Sequence, residues 1–331
     1  MINIPLYKLA SQHKSTRYNS GAWIDGIKIK ELEEKIREYL GVKYVILTNS
    51  GTSALLACYW VLKDKYHKLS VDPYTFPASY QPARLLDYKI NFKRMLFLKN
   101  LAITKNELYT ITHLYGQPNE LVKTINKRVL VEDACQSFGA ELNKKKVGTF
   151  GLLGCYSFYP TKTLHTCGHG GAVVTDNKDY YEKLKVFIES GRSGVKLTEN
   201  VALNLRFDEV KAEFLLDEFK DYDKRMDIQR DIAKELIPLI PGSQPFLEEK
   251  EGSRHIFSTF NIILNNRDKF IDHMKKKGIE TKVYYDNDVL PVSEKDEYID
   301  ITSSIVSIPC RWHLTKNEIS TIKKALEEYF I

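Results

Sequence analysis

The sequence predicts an α/β fold with a mostly parallel central sheet. Strand-like and helix-like segments alternate through most of the 331 residues, which is the pattern of parallel strands joined by crossover helices. Polar and glycine-rich segments follow several of these strands, at the end where open α/β sheets bind ligands. The last third resembles a small α+β unit instead. We therefore predict a large domain with an N-terminal arm over residues 1–220 and a small C-terminal domain over residues 221–331.

The elements of the first part follow from apolar periodicity and from the residues that interrupt it. Short apolar runs predict buried strands at residues 44–47, 108–114, 129–131, 155–158 and 172–175. Leu32, Ile36 and Leu40 recur at helical spacing and predict a helix over residues 30–40. Ser50 can cap an apolar helix over residues 51–62, and Asn119 can cap another helix.

The same criteria give the elements of the last third. Strands are predicted at residues 257–264 and 281–285, and helices at residues 267–277 and 316–330. The charged stretch 217–230 is expected to form a helix that joins the two parts.

The composition is that of an ordinary globular protein and limits the functional classes. There are 49 Lys and Arg residues against 43 Asp and Glu residues, a net charge of +6 that permits anionic substrates without requiring a nucleic acid. The longest apolar run, residues 54–62, is too short to span a membrane, and residues 1–14 lack a signal-peptide core. The five cysteines are odd in number and scattered, which argues against a disulfide framework. A reducing cytoplasm is therefore the expected location.

The first candidate site segment is Thr48–Ser53, where a strand ends and a helix begins. Gly51 allows a ligand to approach the backbone closely, and the free N–H groups at the helix start can bind phosphate. A simple N-cap on a core helix is the alternative, and the segment taken alone favours it.

The second candidate segment follows the apolar strand 129–131 and contains Asp133. An aspartate at the end of a buried strand is suited to hold a protonated ring nitrogen, because burial beside a cation favours the ionised carboxylate. A solvated strand end or an Asx turn is the alternative.

The third candidate segment is the aromatic stretch Tyr156–Lys162. Desolvation and a nearby positive ring would lower the pKa of Lys162 and free its amine as a nucleophile, although an exposed loop lysine is the alternative.

A fourth segment, Gly168–Gly171, predicts a tight turn. Cys167 and His169 beside it could suggest a metal site, but no further Cys or His has ligand spacing, so we favour a structural turn.

The order of these segments resembles the sugar aminotransferases of the DegT/DnrJ/EryC1/StrS family, and the resemblance extends over nearly the whole chain. The shared motifs are residues 21–23, 40–42, 49–55, 72–78, 113–118, 132–140, 157–164, 204–209 and 277–279. The family uses pyridoxal 5′-phosphate (PLP) on the aspartate-aminotransferase fold, type I. The resemblance therefore implies PLP as cofactor and that fold, with a smaller C-terminal α+β domain.

The resemblance also implies roles for individual residues. Lys162 corresponds to the Schiff-base lysine, Asp133 to the partner of the pyridinium nitrogen, and Gln136 to the glutamine beside the 3′ oxygen of the cofactor. Phe76 corresponds to the aromatic residue that stacks on the ring. The expected phosphate contacts are Gly51, Thr52, Ser53, Ser157 and, from the neighbouring subunit, Asn204. A homodimer with shared active sites is thus implied.

The implied reaction moves an amino group from L-glutamate to a nucleotide-linked keto-6-deoxy sugar. Residues 113–118 look more like members that act on 3-keto sugars, and a 4-keto sugar is the close alternative. The chain departs from the family pattern at Leu152, His169 and Tyr284–Asp286, of which the last affects the substrate side. A PLP-dependent sugar dehydratase, which characteristically lacks the lysine, and a non-catalytic regulatory protein are the rival functions.

Overall fold

The computed structural model describes residues 4–6, 24, 26–193, 196–197 and 201–330. The motif at residues 21–23 and most of the predicted N-terminal arm lie outside the described residues. The helices are α1 (Ile27–Leu40), α2 (Gly51–Leu62), α3 (Gln81–Leu85), α4 (Lys178–Ile188), α5 (Glu209–Phe219), α6 (Tyr222–Leu236), α7 (Arg267–Lys276), α8 (Ile299–Thr302) and α9 (Lys316–Phe330). None of these described helices combines the length and the apolar character that a membrane span requires.

The strands fall into one large sheet and several small ones. They are β1 (Tyr44–Thr48), β2 (Lys68–Val71), β3 (Lys89–Phe92), β4 (Leu108–Thr112), β5 (Leu130–Asp133), β6 (Glu141–Leu142), β7 (Lys145–Lys146), β8 (Leu153–Ser157), β9 (Gly171–Thr175), β10 (Arg192–Ser193), β11 (Lys196–Leu197), β12 (Ser253–Arg254), β13 (Phe260–Ile263) and β14 (Ile305–Ile308).

The large sheet has the strand order β1-β9-β8-β5-β4-β2-β3. Its strands are parallel from β8 through β3, and β9 runs antiparallel to both of its neighbours, β1 and β8. The predicted mostly parallel α/β sheet is therefore confirmed. Strands β2 and β3 were not predicted, because each has only four residues and begins with a lysine, so neither forms a continuous apolar run.

Alternate residues of the sheet face two different apolar layers. Val45 and Leu47 pack in a cluster with α1 and α5, whereas Ile46 between them packs in a second cluster with α2 and α4. Ala172 and Val173 divide between the two clusters in the same way. This period of two is the geometry of a β-strand that is buried on both faces. It explains why the strands appear in the sequence as unbroken apolar runs.

A third apolar cluster is built mostly from residues after 231. It joins α6, α7 and α9 to β13 and β14, and Ile4 packs into it as well.

The predicted domain boundary at residue 220 stays a prediction. The stretch 217–230, however, is not one helix, because α5 ends at Phe219 and α6 begins at Tyr222. Between them Asp221 has a φ of 55°, a left-handed conformation that the short polar side chain of aspartate tolerates.

Several predicted elements differ from the observed ones. Residues 281–285 are not a strand, because only Lys282 forms a bridge, with Ser307 of β14. Asn119 does act as a cap, and its Oδ1 accepts the N–H of Leu121 at 3.1 Å, but it begins a short 3₁₀ turn (Glu120–Lys123) rather than an α-helix. The predicted strands 108–114 and 257–264 are shorter, as β4 and β13, because apolar character continues into the loops that flank them.

Candidate active site

Three of the predicted segments meet where helix α2 begins. Ser50 caps this helix, and its Oγ accepts the N–H of Ser53 at 3.0 Å. Gly51 follows, packed against Cys135 and Ser157. A Cβ atom at Gly51 would lie 2.9 Å from Cys135 Sγ and 2.9 Å from Ser157 Cβ, so a larger residue would collide with both. The turn after β1, the loop after β5 and the end of β8 are thus in direct contact.

The start of α2 offers a set of donors suited to an anion. The first N–H groups of an α-helix have no partner within the helix, and the helix dipole makes this end positive. The hydroxyl-bearing residues Thr52 and Ser53 belong to the same turn, with Thr52 exposed and Ser53 half-buried. Ser157 adds a third hydroxyl beside Gly51. Such a donor set matches the chemistry of a phosphate group.

Asp133 is the last residue of β5 and is buried, with 5% of its surface exposed. Its Oδ2 accepts the hydroxyl of Ser79 at 2.6 Å, and its Oδ1 accepts the N–H of Cys135 at 3.1 Å. The hydroxyl of Ser79 also lies 2.8 Å from that of Thr75. These contacts fix the carboxylate in one orientation. Ser79 was not among the predicted site residues, although it lies one residue after the motif 72–78.

Lys162 shares a cavity with Tyr115, Gln136, Thr161, Ser258, Tyr284 and Tyr285. Burial lowers the pKa of the Lys162 amine; Cys135 and Asp133 act in the opposite direction, and Arg311 adds to the lowering. A lower pKa increases the neutral fraction of the amine, which is the nucleophilic form. Arg311 was not among the residues singled out in the sequence.

Gln136 is held in one orientation at the wall of this cavity. The N–H of Tyr115 donates to its Oε1 at 3.0 Å, so its Nε2 faces the Tyr285 hydroxyl and donates to it at 2.9 Å. Burial raises the pKa of Tyr285, which keeps its phenol protonated.

Phe76 is 54% exposed, and its ring centroid lies 6.3 Å from that of Tyr285. An exposed aromatic face here is available for stacking on a planar ring.

Asn204 lies outside the Lys162 cavity within this chain. Its side chain is exposed, and its Oδ1 accepts the Nε–H of Arg206 at 3.1 Å. The carbonyl of the next residue, Leu205, accepts the N–H of Asn49 at 2.8 Å. The segment is thus attached to the turn before α2 while Asn204 itself faces outward.

A buried pair, His113 and Glu132, supports the site from within the sheet layer. Both residues belong to motifs identified in the sequence. The N–H of Asn119 donates to His113 Nδ1 at 2.9 Å, so the other ring nitrogen, Nε2, carries the proton that faces Glu132 Oε2 at 3.0 Å. The backbone N–H groups of Gly148 and Gly151 also donate to Glu132. His113 therefore has a structural role, and Tyr115 is the residue of segment 113–118 that lines the cavity.

Curated relatives include enzymes of nucleotide-sugar metabolism and a regulator. The chain is 30% identical, over 81% of its length and 77% of the relative's, to a UDP-N-acetyl-3-dehydro-α-D-glucosamine 3-aminotransferase of Acidithiobacillus ferrooxidans. It is 25% identical to a UDP-4-amino-4,6-dideoxy-N-acetyl-β-L-altrosamine transaminase of Campylobacter jejuni, with 91% and 89% covered. It is also 28% identical to a pleiotropic regulatory protein of Geobacillus stearothermophilus, with 86% and 84% covered.

Solved structures support the fold, and the sequence supports the family. The chain superposes on a DegT/DnrJ/EryC1/StrS aminotransferase from Brucella abortus with a TM-score of 0.83 and 23% identity, covering 94% of this chain and 92% of the other. The expected type I fold is therefore confirmed. Residues 10–327 match the DegT/DnrJ/EryC1/StrS aminotransferase family, so the chain belongs to that family.

Proposed function

We propose that this protein transfers the amino group of L-glutamate to a nucleotide-linked keto-6-deoxy sugar, with PLP as its cofactor. The observation that carries the proposal is the convergence of the α2 start, the Asp133 carboxylate and the Lys162 amine at one edge of the sheet. The enzymes among its relatives support nucleotide sugars as the substrate class.

The residues at this edge fit PLP by the chemistry of their donors. The N–H groups and hydroxyls of Gly51, Thr52, Ser53 and Ser157 would hold the phosphate, and the Lys162 amine lies in the adjoining cavity. Asp133 would face the ring nitrogen, Gln136 the 3′ oxygen and Phe76 one face of the ring. When it is bound, PLP supplies an electron sink for the charge that develops at Cα of the amino donor.

The protein side of the reaction is proton transfer and positioning. In the proposed mechanism the neutral Lys162 amine would take the proton from Cα of the amino donor and deliver a proton to carbon C4′ of the cofactor, acting as general base and then general acid. The carboxylate of Asp133, held by Ser79 and by the Cys135 N–H, would keep a proton on the ring nitrogen. The α2 start would anchor the phosphate, which would keep the reacting atoms within reach of Lys162.

We favour the 3-keto sugar over the 4-keto sugar. The likeness of residues 113–118 to members that act on 3-keto sugars supports this choice, as does the name of the Acidithiobacillus relative. Amination of a 4-keto sugar is the alternative, because the Campylobacter relative is named for a 4-amino sugar.

A panel of nucleotide-linked 3-keto and 4-keto sugars, each assayed with L-glutamate, tests the reaction and the regiochemistry together. We expect 2-oxoglutarate and an amino sugar to form, with the highest kcat/KM for a 3-keto substrate, because a site built for one hydroxyl pattern leaves polar groups unpaired with another. A kcat/KM for a 4-keto sugar more than about a hundredfold above that of every 3-keto isomer would reverse the choice. Loss of water from the sugar without consumption of glutamate would indicate the dehydratase instead.

A non-catalytic regulator is the second candidate, and the Geobacillus relative is the observation that favours it. A regulator has no need of a half-buried lysine with a lowered pKa beside a fixed carboxylate, and both are present here. Purified protein that shows no visible PLP absorbance and no turnover with any sugar of the panel would support the regulator.

We also propose a cytoplasmic homodimer in which Asn204 completes the phosphate site of the partner subunit. Its exposed side chain on a segment attached to the α2 turn supports this arrangement, which a two-fold axis would repeat in both sites. The cysteines Cys58, Cys135, Cys155, Cys167 and Cys310 are all free thiols, which suits a reducing compartment.

Mixing two inactive variants should restore activity if the sites are shared. A Lys162→Ala chain keeps Asn204, and an Asn204→Ala chain keeps Lys162, so their heterodimer contains one site with both residues. We expect up to about a quarter of the wild-type specific activity after random exchange of equal amounts, because half of the dimers are mixed and each has one good site. Subunit exchange would be verified with differently tagged chains. If exchange occurs and the mixture remains as inactive as its parts, the shared site is wrong.

A further inference from the structure

Arg311 reaches the loop of Lys162 from a distant part of the chain. It follows strand β14 and is buried, with 7% of its surface exposed. Its Nη2 donates to the carbonyl oxygen of Thr161 at 2.7 Å, across 150 positions of the sequence. Thr161 immediately precedes Lys162 and lines the same cavity. Because a guanidinium is planar and permanently charged, this contact fixes both a backbone position and a positive charge.

The groups that face Lys162 come from several elements. Asp133 and Cys135 approach from the end of β5, Arg311 from the segment after β14, and Tyr115, Tyr284 and Tyr285 from the cavity wall. Burial raises the pKa of Cys135, of Tyr115 and of Tyr285, so that these three remain neutral near pH 7. Within the described part of the chain, the ionic groups that act on the lysine are therefore the Asp133 carboxylate and the Arg311 guanidinium.

We propose that Arg311 is a positioning residue for Lys162, which holds the Thr161 carbonyl and sets a fixed positive charge against the negative charge of Asp133. The inference rests on the proposed role of Lys162 as the reactive amine. Asp133 alone would favour the protonated lysine, which can neither attack a carbonyl carbon nor accept a proton. Arg311 offsets this attraction and lowers the pKa of the lysine, which increases the fraction of the amine that is neutral.

The test measures the ionisation of Lys162 directly in the full-length, cofactor-free protein. Trace labelling of amines with acetic anhydride over a range of pH, followed by mass spectrometry of the peptide that contains Lys162, gives the midpoint of its titration. Removal of the charge in Arg311→Gln should raise this midpoint by roughly one pH unit. Arg311→Lys keeps the charge and should leave the midpoint within about 0.3 of a unit.

A matched control is available in Arg267, whose Nη1 donates to the carbonyl oxygen of Thr302 at 2.6 Å. Arg267→Gln removes the same kind of contact elsewhere and should leave the midpoint of Lys162 unchanged.

An unchanged midpoint in folded Arg311→Gln would overturn the proposal. Should that variant fail to fold, Arg311→Lys decides, because an upward shift of a full unit with the charge retained would contradict the electrostatic role. The labelling does not depend on turnover. A shifted midpoint in a protein that aminates no sugar would therefore refute the proposed function and leave the effect of Arg311 on Lys162 in place.

Discussion

Replacement of Lys162 by alanine should reduce transamination by about three to four orders of magnitude, because the proposed proton carrier is lost. The variant should still bind PLP or its pyridoxamine form, since the α2 start and Ser157 are untouched. Steady-state assays with glutamate and the best sugar of the panel measure the rate. In wild-type protein, borohydride should fix the cofactor covalently on the peptide that contains Lys162, as read by mass spectrometry.

Lys146 provides the matched control. This lysine is also largely buried, and it is paired with Glu141 at 2.7 Å on a small hairpin rather than in the cavity. Lys146→Ala should keep turnover within about tenfold of wild type, since the loss of one such pair affects stability more than chemistry. Wild-type turnover in Lys162→Ala, or borohydride attachment at a different lysine, would refute the assignment of Lys162.

Replacement of Asp133 by asparagine should lower kcat by about a thousandfold, because the amide cannot stabilise a positive charge on the ring nitrogen. The side chain keeps its size, so the fold should survive, and thermal unfolding would verify this. Pre-steady-state measurement of proton removal from the amino donor, compared with its 2-²H isotopologue, would show whether the affected step is the chemical one.

Ser79→Ala separates the charge of Asp133 from its orientation. It removes the 2.6 Å hydrogen bond to Oδ2 and leaves the carboxylate in place, so we expect a loss of only about tenfold to a hundredfold. A loss below about tenfold in Asp133→Asn would mean that another group protonates the ring. Equal losses in the two variants would mean that orientation, and not charge, is the contribution of Asp133.

The parts of the site that sequence patterns predict are those at the ends of apolar strands. Gly51 after β1 and Asp133 at the end of β5 each follow an apolar run that predicts a buried strand, and strands that run in the same direction bring such ends to one edge. Ser157 came from the family resemblance, and it lies beside Gly51 together with Cys135. The roles of Phe76, Gln136 and Asn204 came from the family resemblance rather than from a local pattern.

The parts that could not be predicted depend on packing between distant segments. Arg311 contacts Thr161 across 150 positions, and Ser79 reaches Asp133 across 54. No periodicity in the sequence relates such pairs. The segment 281–285 was misinterpreted for a similar reason: its apolar and aromatic residues resemble a strand, but Tyr285 is turned toward Gln136 instead of a ladder partner.

The position of β9 has a consequence for how the site arises during synthesis. Strand β1 is translated first, yet in the sheet its neighbour is β9, whose residues 171–175 emerge from the ribosome much later. Gly171 also lies against the backbone of Ser50 and Gly51, at the start of α2. In a nascent chain that ends before residue 171, β1 and the turn at the start of α2 should therefore lack a fixed position, even if β2 to β5 have already paired. Ribosome-stalled chains that end before or after β9 should differ sharply in their retention of PLP, and early retention would show that α2 is positioned by other contacts.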